Sequence, residues 1–409
     1  MTDTSYAVLL HGEHVGTILR RDADTTFTTF GFDRDYWHRP DRRPLGLWFE
    51  NNPRRRPRAN NSVPAWFSNL LPEGRLRELI AREQGVSVHR EMDLLERIGG
   101  DLPGAVEVRR EAGAADIGLP EAGEETVQPA LGSHAIRFSL AGMALKFSMR
   151  ATGDRLALPA HGEDGDWILK TPDSHYPQLP ANEDAMMDLA RRTGITVPET
   201  ALRPRSSVDD LGPGAWLSDE TQAYTVRRFD RSPSGRIHIE DFAQVLGVYG
   251  VGDGKYRSNV ETVIGLSWRG SDNSSLQEAV RRSVFNLLIG NGDAHLKNWS
   301  LIYPDGTHAR LSPAYDLVCT AVYPEPEGDP ELGLPFFGAR RLSEVHREHF
   351  TRLQNQLGVG RTDVLDVVDD TLERFSETWS AGAAAHTPAP VAEWIDAHLA
   401  DTRQRLLGH

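Results

Sequence analysis

Cysteine and lysine are both scarce in this 409-residue chain, which has one Cys and four Lys among its 45 basic residues. A single cysteine, Cys319, excludes an intramolecular disulfide and fits a reducing compartment. No apolar run approaches the roughly 18 residues that a membrane helix needs. The N-terminal stretch lacks an apolar signal-peptide region. A cytoplasmic protein with no membrane span is therefore expected. Positive charge is also in deficit, with 45 Lys and Arg against 59 Asp and Glu and a net charge of −14. Such a surface repels nucleic acid in bulk, so DNA contact would need a local patch or a basic partner. His295 and His308 have no His/Cys cluster at zinc spacing around them, and hydrogen-bonding roles are expected instead. Cys319 lies in no nucleophile signature and reads as a small buried apolar residue.

The rarity of lysine makes its survivors informative. Arg serves nearly everywhere that a surface cation is wanted. Lys146, Lys170, Lys255 and Lys297 then mark places where a compact, flexible ammonium is needed and a planar guanidinium would not fit.

At this length, two or three domains or lobes are expected. Alternating apolar residues over 6–12 and 14–19 predict a β-hairpin. Helices are predicted over 75–84 and 91–98, the second closing at Gly99-Gly100, with a short strand at 105–108. The Pro/Arg-rich stretch 51–58 reads as a solvated loop, although it could bind an anion. Residues 111–129, rich in Ala, Gly and Glu without periodicity, read as a linker. Strands are predicted over 134–138, 145–149, 155–158, 166–171 and 223–230, with one helix over 182–193. From about 240 the pattern turns helical. Ser275 and Glu278 form a capping-box pattern ahead of an apolar face that runs to Gly290. The expected domains are 1–115, 130–240 and 241–409.

Asp293 and Asn298 stand five apart in Gly290-Asn-Gly-Asp-Ala-His-Leu-Lys-Asn298, and Asp316 follows 18 residues later. That spacing is shared with the kinase catalytic loop, in which Asp takes a hydroxyl proton and Asn holds Mg²⁺. Asp293 can orient a hydroxyl, and Lys297 can neutralise charge on a transferred phosphoryl group. Asn298 and Asp316 supply the hard oxygens that Mg²⁺ prefers. Lys170 ends a strand in Trp-Ile-Leu-Lys, as a phosphate-gripping strand lysine does. Glu183 could pair with it, or could sit at a helix start for the dipole alone, and Asp184 could do either job. The Gly-rich loop G-x-G-x-x-G is absent. Only Gly142, in Ser139-Leu-Ala-Gly-Met-Ala-Leu-Lys146, could cover phosphates through backbone N–H groups.

These motifs, taken in order, resemble the HipA-type toxin kinases of bacterial toxin–antitoxin modules. The resemblance rests on Asn69-Leu-Leu-Pro-Glu73, Asp93–Gly100 with Gly104-Ala-Val106, Ser139–Gly142 with Lys146, and Ile168-Leu-Lys-Thr-Pro172. It continues through Asn182-Glu183, Arg228-Phe-Asp-Arg231, Glu240–Gln244, Lys255-Tyr256, Gly292–Asn298 and Leu311–Asp316. It implies an α+β, protein-kinase-like two-lobe fold: a β-rich small lobe, a helical large lobe and an extra N-terminal β-rich subdomain. It further implies an ATP- and Mg²⁺-dependent serine/threonine kinase with Asp293 as base and Lys297 beside it. Ala141, Gly142, Lys146, Lys170, Arg227, Arg228, Phe229, His295, Asn298, Tyr315 and Asp316 would hold ATP, with Asn298 and Asp316 on the metal. Ser139 matches the loop serine that family members autophosphorylate, and a dianion there would repel the ATP phosphates. The implied partners are a HipB-like helix-turn-helix antitoxin, DNA only through it, and a protein substrate of the aminoacyl-tRNA synthetase class whose modification stops growth.

Two positions depart from the family pattern. Ala144 stands where Gln is common two places before the loop lysine, and Arg227 stands where the hinge commonly begins with Glu. A catalytically weakened binding module that acts as an antitoxin corepressor is therefore the alternative reading. A small-molecule or lipid kinase would share the loop but not the N-terminal subdomain.

Overall fold

In the computed structural model, residues 2–22, 26–111, 145–159, 163–209, 211–212, 214–323 and 329–408 are described. Ser139, Ala141 and Gly142 lie outside them, as do Ala144 and the predicted strand over 134–138. The chain divides into two units. The first takes residues 1–137, 230–255 and 300–309, and the second takes 138–229, 256–299 and 310–409.

The first unit is built on an antiparallel sheet. The predicted hairpin forms as β1 (Thr2–Leu10) and β2 (Glu13–Asp22), followed by β3 (Thr26–Phe32), β4 (Arg58–Asn60) and β5 (Val106–Arg110), in the order β4-β3-β2-β1-β5. Tyr6, Val8 and Leu10 alternate inward along β1, as period 2 requires. They join Phe30, Phe49, Trp66 and Phe67 in one apolar core. Helices α1 (Gly74–Glu83) and α2 (Glu91–Ile98) match the predicted apolar spacing.

The second unit holds five antiparallel strands: β6 (Lys146–Thr152), β7 (Arg155–Ala157), β8 (Trp167–Lys170), β9 (Thr200–Pro204) and β10 (Gln222–Arg227), ordered β7-β6-β8-β10-β9. Helix α3 (Leu179–Arg192) falls between β8 and β9 in sequence and packs on β9 and β10. Residues 238–241 and 300–303 then pair as antiparallel strands within the first unit, with Glu240 opposite Leu301.

The rest of the second unit is largely helical: α4 (Val260–Trp268), α5 (Asn273–Leu288), a two-stranded ladder of β11 (Glu331–Phe336) and β12 (Ala339–Arg341), then α6 (Arg347–Leu357), α7 (Leu365–Ser380) and α8 (Ala389–Leu407). Helix α5 begins earlier than the Ser275/Glu278 pattern suggests. Its cap is Asp272, whose carboxylate accepts the Ser275 N–H at 2.9 Å and the Ser275 hydroxyl at 2.6 Å. Glu278 instead pairs with Arg282 on the next turn at 2.8 Å. The capping box fails because a carboxylate three residues upstream competes for the same N–H.

Among the described residues, no helix is long and apolar enough to cross a membrane.

Candidate active site

Helix α5 delivers the chain into the predicted loop. Its inner face is apolar from Leu276 to Leu288 and fully packed. Gly290 ends it at φ 66°, and a Cβ there would come within 2.5 Å of the Trp394 ring, so only glycine fits. Thr320 pins the next turn. Its hydroxyl donates to the Gly290 carbonyl at 3.1 Å and accepts the Gly292 N–H at 2.7 Å.

The loop is held at both of its key residues. Asp293 accepts a hydrogen bond from the Tyr256 hydroxyl at 2.7 Å. Asn298 donates its side-chain N–H to the Asp293 carbonyl at 2.8 Å, which leaves its amide oxygen as the acceptor end. His295 is buried, donates its backbone N–H to the Asp293 carbonyl at 2.8 Å, and meets the Tyr256 ring edge-on at 5.4 Å. Tyr315 donates its hydroxyl to the Lys297 carbonyl at 2.9 Å. Three sequence-selected residues, Asp293, His295 and Asn298, therefore belong to one bonded constellation, and Tyr315 is tied to the Lys297 backbone. Tyr256 and Thr320, which had no assigned role, complete it. Neither has a local signal beyond the position of Tyr256 next to Lys255.

A second constellation surrounds Asp316. Lys146 on β6 and Tyr224 on β10 both stand directly opposite Lys170 on β8, so the three share one face of the sheet. Lys146 reaches one Asp316 oxygen at 2.8 Å and Lys170 the other at 2.5 Å. Lys170 also pairs with Glu183 of α3, which selects Glu183 over Asp184. Burial alone would raise the Asp316 carboxyl, but the two ammoniums outweigh it and hold the group well below the usual carboxylate range. Glu183 moves the other way. Burial and the nearby Asp316 charge raise it against the pull of Lys170. Asp316 sits in the left-handed region at φ 55°, one of the few conformations in which Asp is favoured among non-glycine residues.

The fold fixes these groups from behind. Asn182, beside Glu183, clasps the backbone of Cys319 with both ends of its amide, at 2.9 and 3.0 Å. Arg282, buried in α5, donates to the Ser312 carbonyl at 2.5 Å. Helices α3 and α5 thus hold both ends of the segment that carries Asp316. Cys319 is a structural residue, buried, with its thiol pushed up to about 12 by desolvation.

The hinge stretch is bonded within the protein. The Arg227 and Arg228 N–H groups donate to the Glu199 and Asp166 carbonyls at 2.8 and 2.9 Å. The Arg227 guanidinium pairs with exposed Glu199 at 3.3 Å, and that of Arg228 donates to the Ser148 hydroxyl at 3.0 Å. Both arginines therefore bond within the protein, by side chain and by N–H. Phe229 faces Tyr315, ring to ring, at 5.7 Å. Lys255 is in neither constellation and forms a buried ion pair with Glu73 at 3.1 Å in the first unit.

Asn298 and Asp316 offer an amide oxygen and a carboxylate. That donor set suits Mg²⁺, which is usually bound by one or two protein oxygens together with phosphates and water. Among the described residues, no group of three His, Cys, Asp or Glu lies together as a metal cluster.

Comparisons with known proteins find relatives over nearly the whole chain. The HipA-like C-terminal domain matches residues 138–379, and the HipA N-terminal domain matches residues 6–109. A Sinorhizobium fredii protein that carries a kinase name, Y4dM, is 40% identical over 404 residues, covering 96% of this chain and 95% of that protein. The serine/threonine-protein kinase toxin HipA of Shewanella oneidensis is 29% identical over 294 residues, covering 64% of each chain. A solved structure of the Shewanella oneidensis toxin–antitoxin system, comprising HipA, HipB and operator DNA, superposes with a TM-score of 0.72 at 22% identity, covering 98% of this chain and 97% of the other. The chain belongs to the HipA kinase family, and its fold is the α+β, kinase-like fold of that family.

Proposed function

We propose that this chain is an ATP-dependent serine/threonine protein kinase of the HipA type. The observation that carries the reading is the convergence of Lys146 and Lys170 on Asp316, with Glu183 behind Lys170. Two ammoniums on one face of a sheet form a cradle for polyphosphate. A carboxylate between them is where a metal ligand is needed. Glu183 keeps Lys170 extended in a site from which water is largely excluded.

In this reading, Lys170 and Lys146 hold the phosphates of ATP, and the paired rings of Phe229 and Tyr315 offer an apolar face to the base. Asn298 and Asp316 would hold Mg²⁺, which supplies charge neutralisation on the transferred phosphoryl group. Asp293, oriented by the Tyr256 hydroxyl, accepts the proton of the attacking serine or threonine hydroxyl. Lys297 neutralises charge as the phosphoryl group moves. Ala141 and Gly142 would cover the phosphates through backbone N–H groups, and Ser139 is the self-phosphorylated position. The substrate is a protein of translation, of the aminoacyl-tRNA synthetase class, and its modification arrests growth. A HipB-like helix-turn-helix antitoxin neutralises the kinase and supplies the DNA binding that a chain of net charge −14 lacks. The structural neighbour, a HipA–HipB–operator complex, supports that pairing.

A second reading, a weakened binding module that acts as a corepressor, draws on Ala144 and on Arg227, whose side chain is spent on Glu199. Incubating the purified chain and its Asp293→Ala variant with Mg²⁺, labelled ATP and cell extract separates the two. Wild type is expected to label itself at Ser139 and one extract protein, and the variant neither. Wild type that binds ATP yet labels nothing would sink the kinase reading in favour of the corepressor.

A further inference from the structure

We propose that an apolar pocket beside the catalytic loop receives an apolar side chain of the polypeptide substrate, one or two residues from the phosphorylated hydroxyl. The inference rests on the kinase reading above. The pocket has a cavity volume of about 40 Å³ and is partly open to solvent. Its lining includes Asn291 and Ala294 of the loop and Leu332, Leu334 and Phe336 of β11. Ala294 follows Asp293 directly, so the lining begins one residue from the candidate base.

Reach decides what can enter. Consecutive Cα atoms lie about 3.8 Å apart, and an extended peptide advances about 3.3 Å per residue with side chains alternating in direction. A peptide whose hydroxyl lies at Asp293 therefore presents a neighbouring side chain at the mouth. The mouth residues Val260, Ala294 and Leu332 are the partly exposed part of the lining, while Val263, Trp299 and Phe350 are buried.

The chemistry selects an apolar occupant. Ser283 and Asn291 of the lining are bonded within the protein. Ser283 donates to the Ala279 carbonyl at 2.8 Å, and Asn291 donates to the Asn286 side chain at 3.0 Å while accepting the Asp293 N–H at 3.1 Å. Most of the rest is aliphatic and aromatic carbon, from Val260, Val263, Leu287, Leu334, Phe336 and Phe350, which gains from burying a like surface. The pocket is also built rigidly onto the loop. A Cβ on Gly333 would lie 2.7 Å from the Ala294 nitrogen, and one on Gly292 would lie 2.6 Å from the Glu331 carbonyl oxygen. Two glycines thus let β11 lie directly on the loop, so a side chain in the pocket is registered against Asp293.

The test uses serine peptides with Leu or Asp at positions one and two from the acceptor, on either side. Leu peptides are expected to show a KM roughly tenfold or more below that of Asp peptides, with the KM for ATP unchanged. Leu332→Glu should reverse the preference toward a Lys-flanked peptide. A second readout needs no catalysis. Cys319 is the chain's single cysteine and is buried, so Leu332→Cys adds one accessible thiol at the mouth. The Leu peptide should slow its reaction with a maleimide, and the Asp peptide should not. Phosphoryl transfer with no flank preference and no protection overturns the pocket and keeps the kinase reading. Protection without transfer keeps the pocket and removes the kinase reading. Protection by a free aliphatic acid but by neither peptide would assign the pocket to a small apolar ligand and overturn the proposal.

Discussion

Lys146 and Lys170 stand directly opposite each other on neighbouring antiparallel strands, and each places its ammonium on a different oxygen of Asp316. Like charges paired across a sheet repel. Asp316 offsets that repulsion in a site where Lys170 is almost fully buried. Asp316→Asn is therefore expected to cost about 2 kcal/mol of stability as well as phosphoryl transfer by at least about 100-fold. Adding Lys146→Met removes the repulsion. The double variant should regain most of the stability in urea unfolding and none of the single-turnover rate. Equal stability of the two variants would show that the lysines do not repel appreciably.

The Tyr256 hydroxyl is the donor that orients Asp293, at 2.7 Å. Tyr256→Phe keeps the ring that packs against His295 and deletes the hydrogen bond alone. Loss of orientation at a base acts on the chemical step. The expected result is a kcat lower by about tenfold with the KM for ATP unchanged. A rise in that KM with kcat preserved would instead place Tyr256 in nucleotide binding.

Asn298 does two jobs, since its N–H closes the loop on the Asp293 carbonyl and its oxygen is the neutral metal ligand of the proposal. Asn298→Ala loses both. The Mg²⁺ concentration for half-maximal transfer is expected to rise by about tenfold, with a lower plateau. Titrating Mg²⁺ at saturating ATP reads the two effects apart. A lower plateau at an unchanged midpoint would limit Asn298 to closing the loop.

The loop from Gly290 to Asn298 was legible because its residues are contiguous, and Asp293, His295 and Asn298 are joined by bonds spanning five residues or fewer. The scarcity of lysine pointed to Lys146 and Lys170. What no local pattern carries is the partner. Tyr256 lies 37 residues from Asp293, and Asn182 lies 137 from Cys319. The hinge arginines show the opposite case. A motif position marks where Arg227 and Arg228 fall, but their side chains go to Glu199 and Ser148, which only the folded sheet brings near. The inclusion of residues 230–255 and 300–309 in the first unit is similarly silent in sequence. It depends on the pairing of 238–241 with 300–303, and nothing local marks two short strands some sixty residues apart as partners.

Within that first unit, Glu240 is fully buried and accepts the Leu47 N–H at 2.9 Å, the Trp66 indole at 3.3 Å and the Tyr303 hydroxyl at 2.5 Å. Burial outweighs these donors and pushes its carboxyl up to about 7. A carboxyl raised on folding stabilises the fold fully below its ordinary value near 4.5, and that contribution fades as pH rises toward 7. The loss amounts to about 3 kcal/mol. Buried His238, depressed to about 4, works with the opposite sign, because its contribution is lost as pH falls from about 6.5 through 4. The difference between wild type and Glu240→Gln isolates the glutamate. Urea unfolding at pH 5 and pH 8 should show wild type losing stability relative to the variant by about 3 kcal/mol on going to the higher pH. A constant difference would mean that Glu240 stays charged across the range and that its three donors, not burial, set its ionisation.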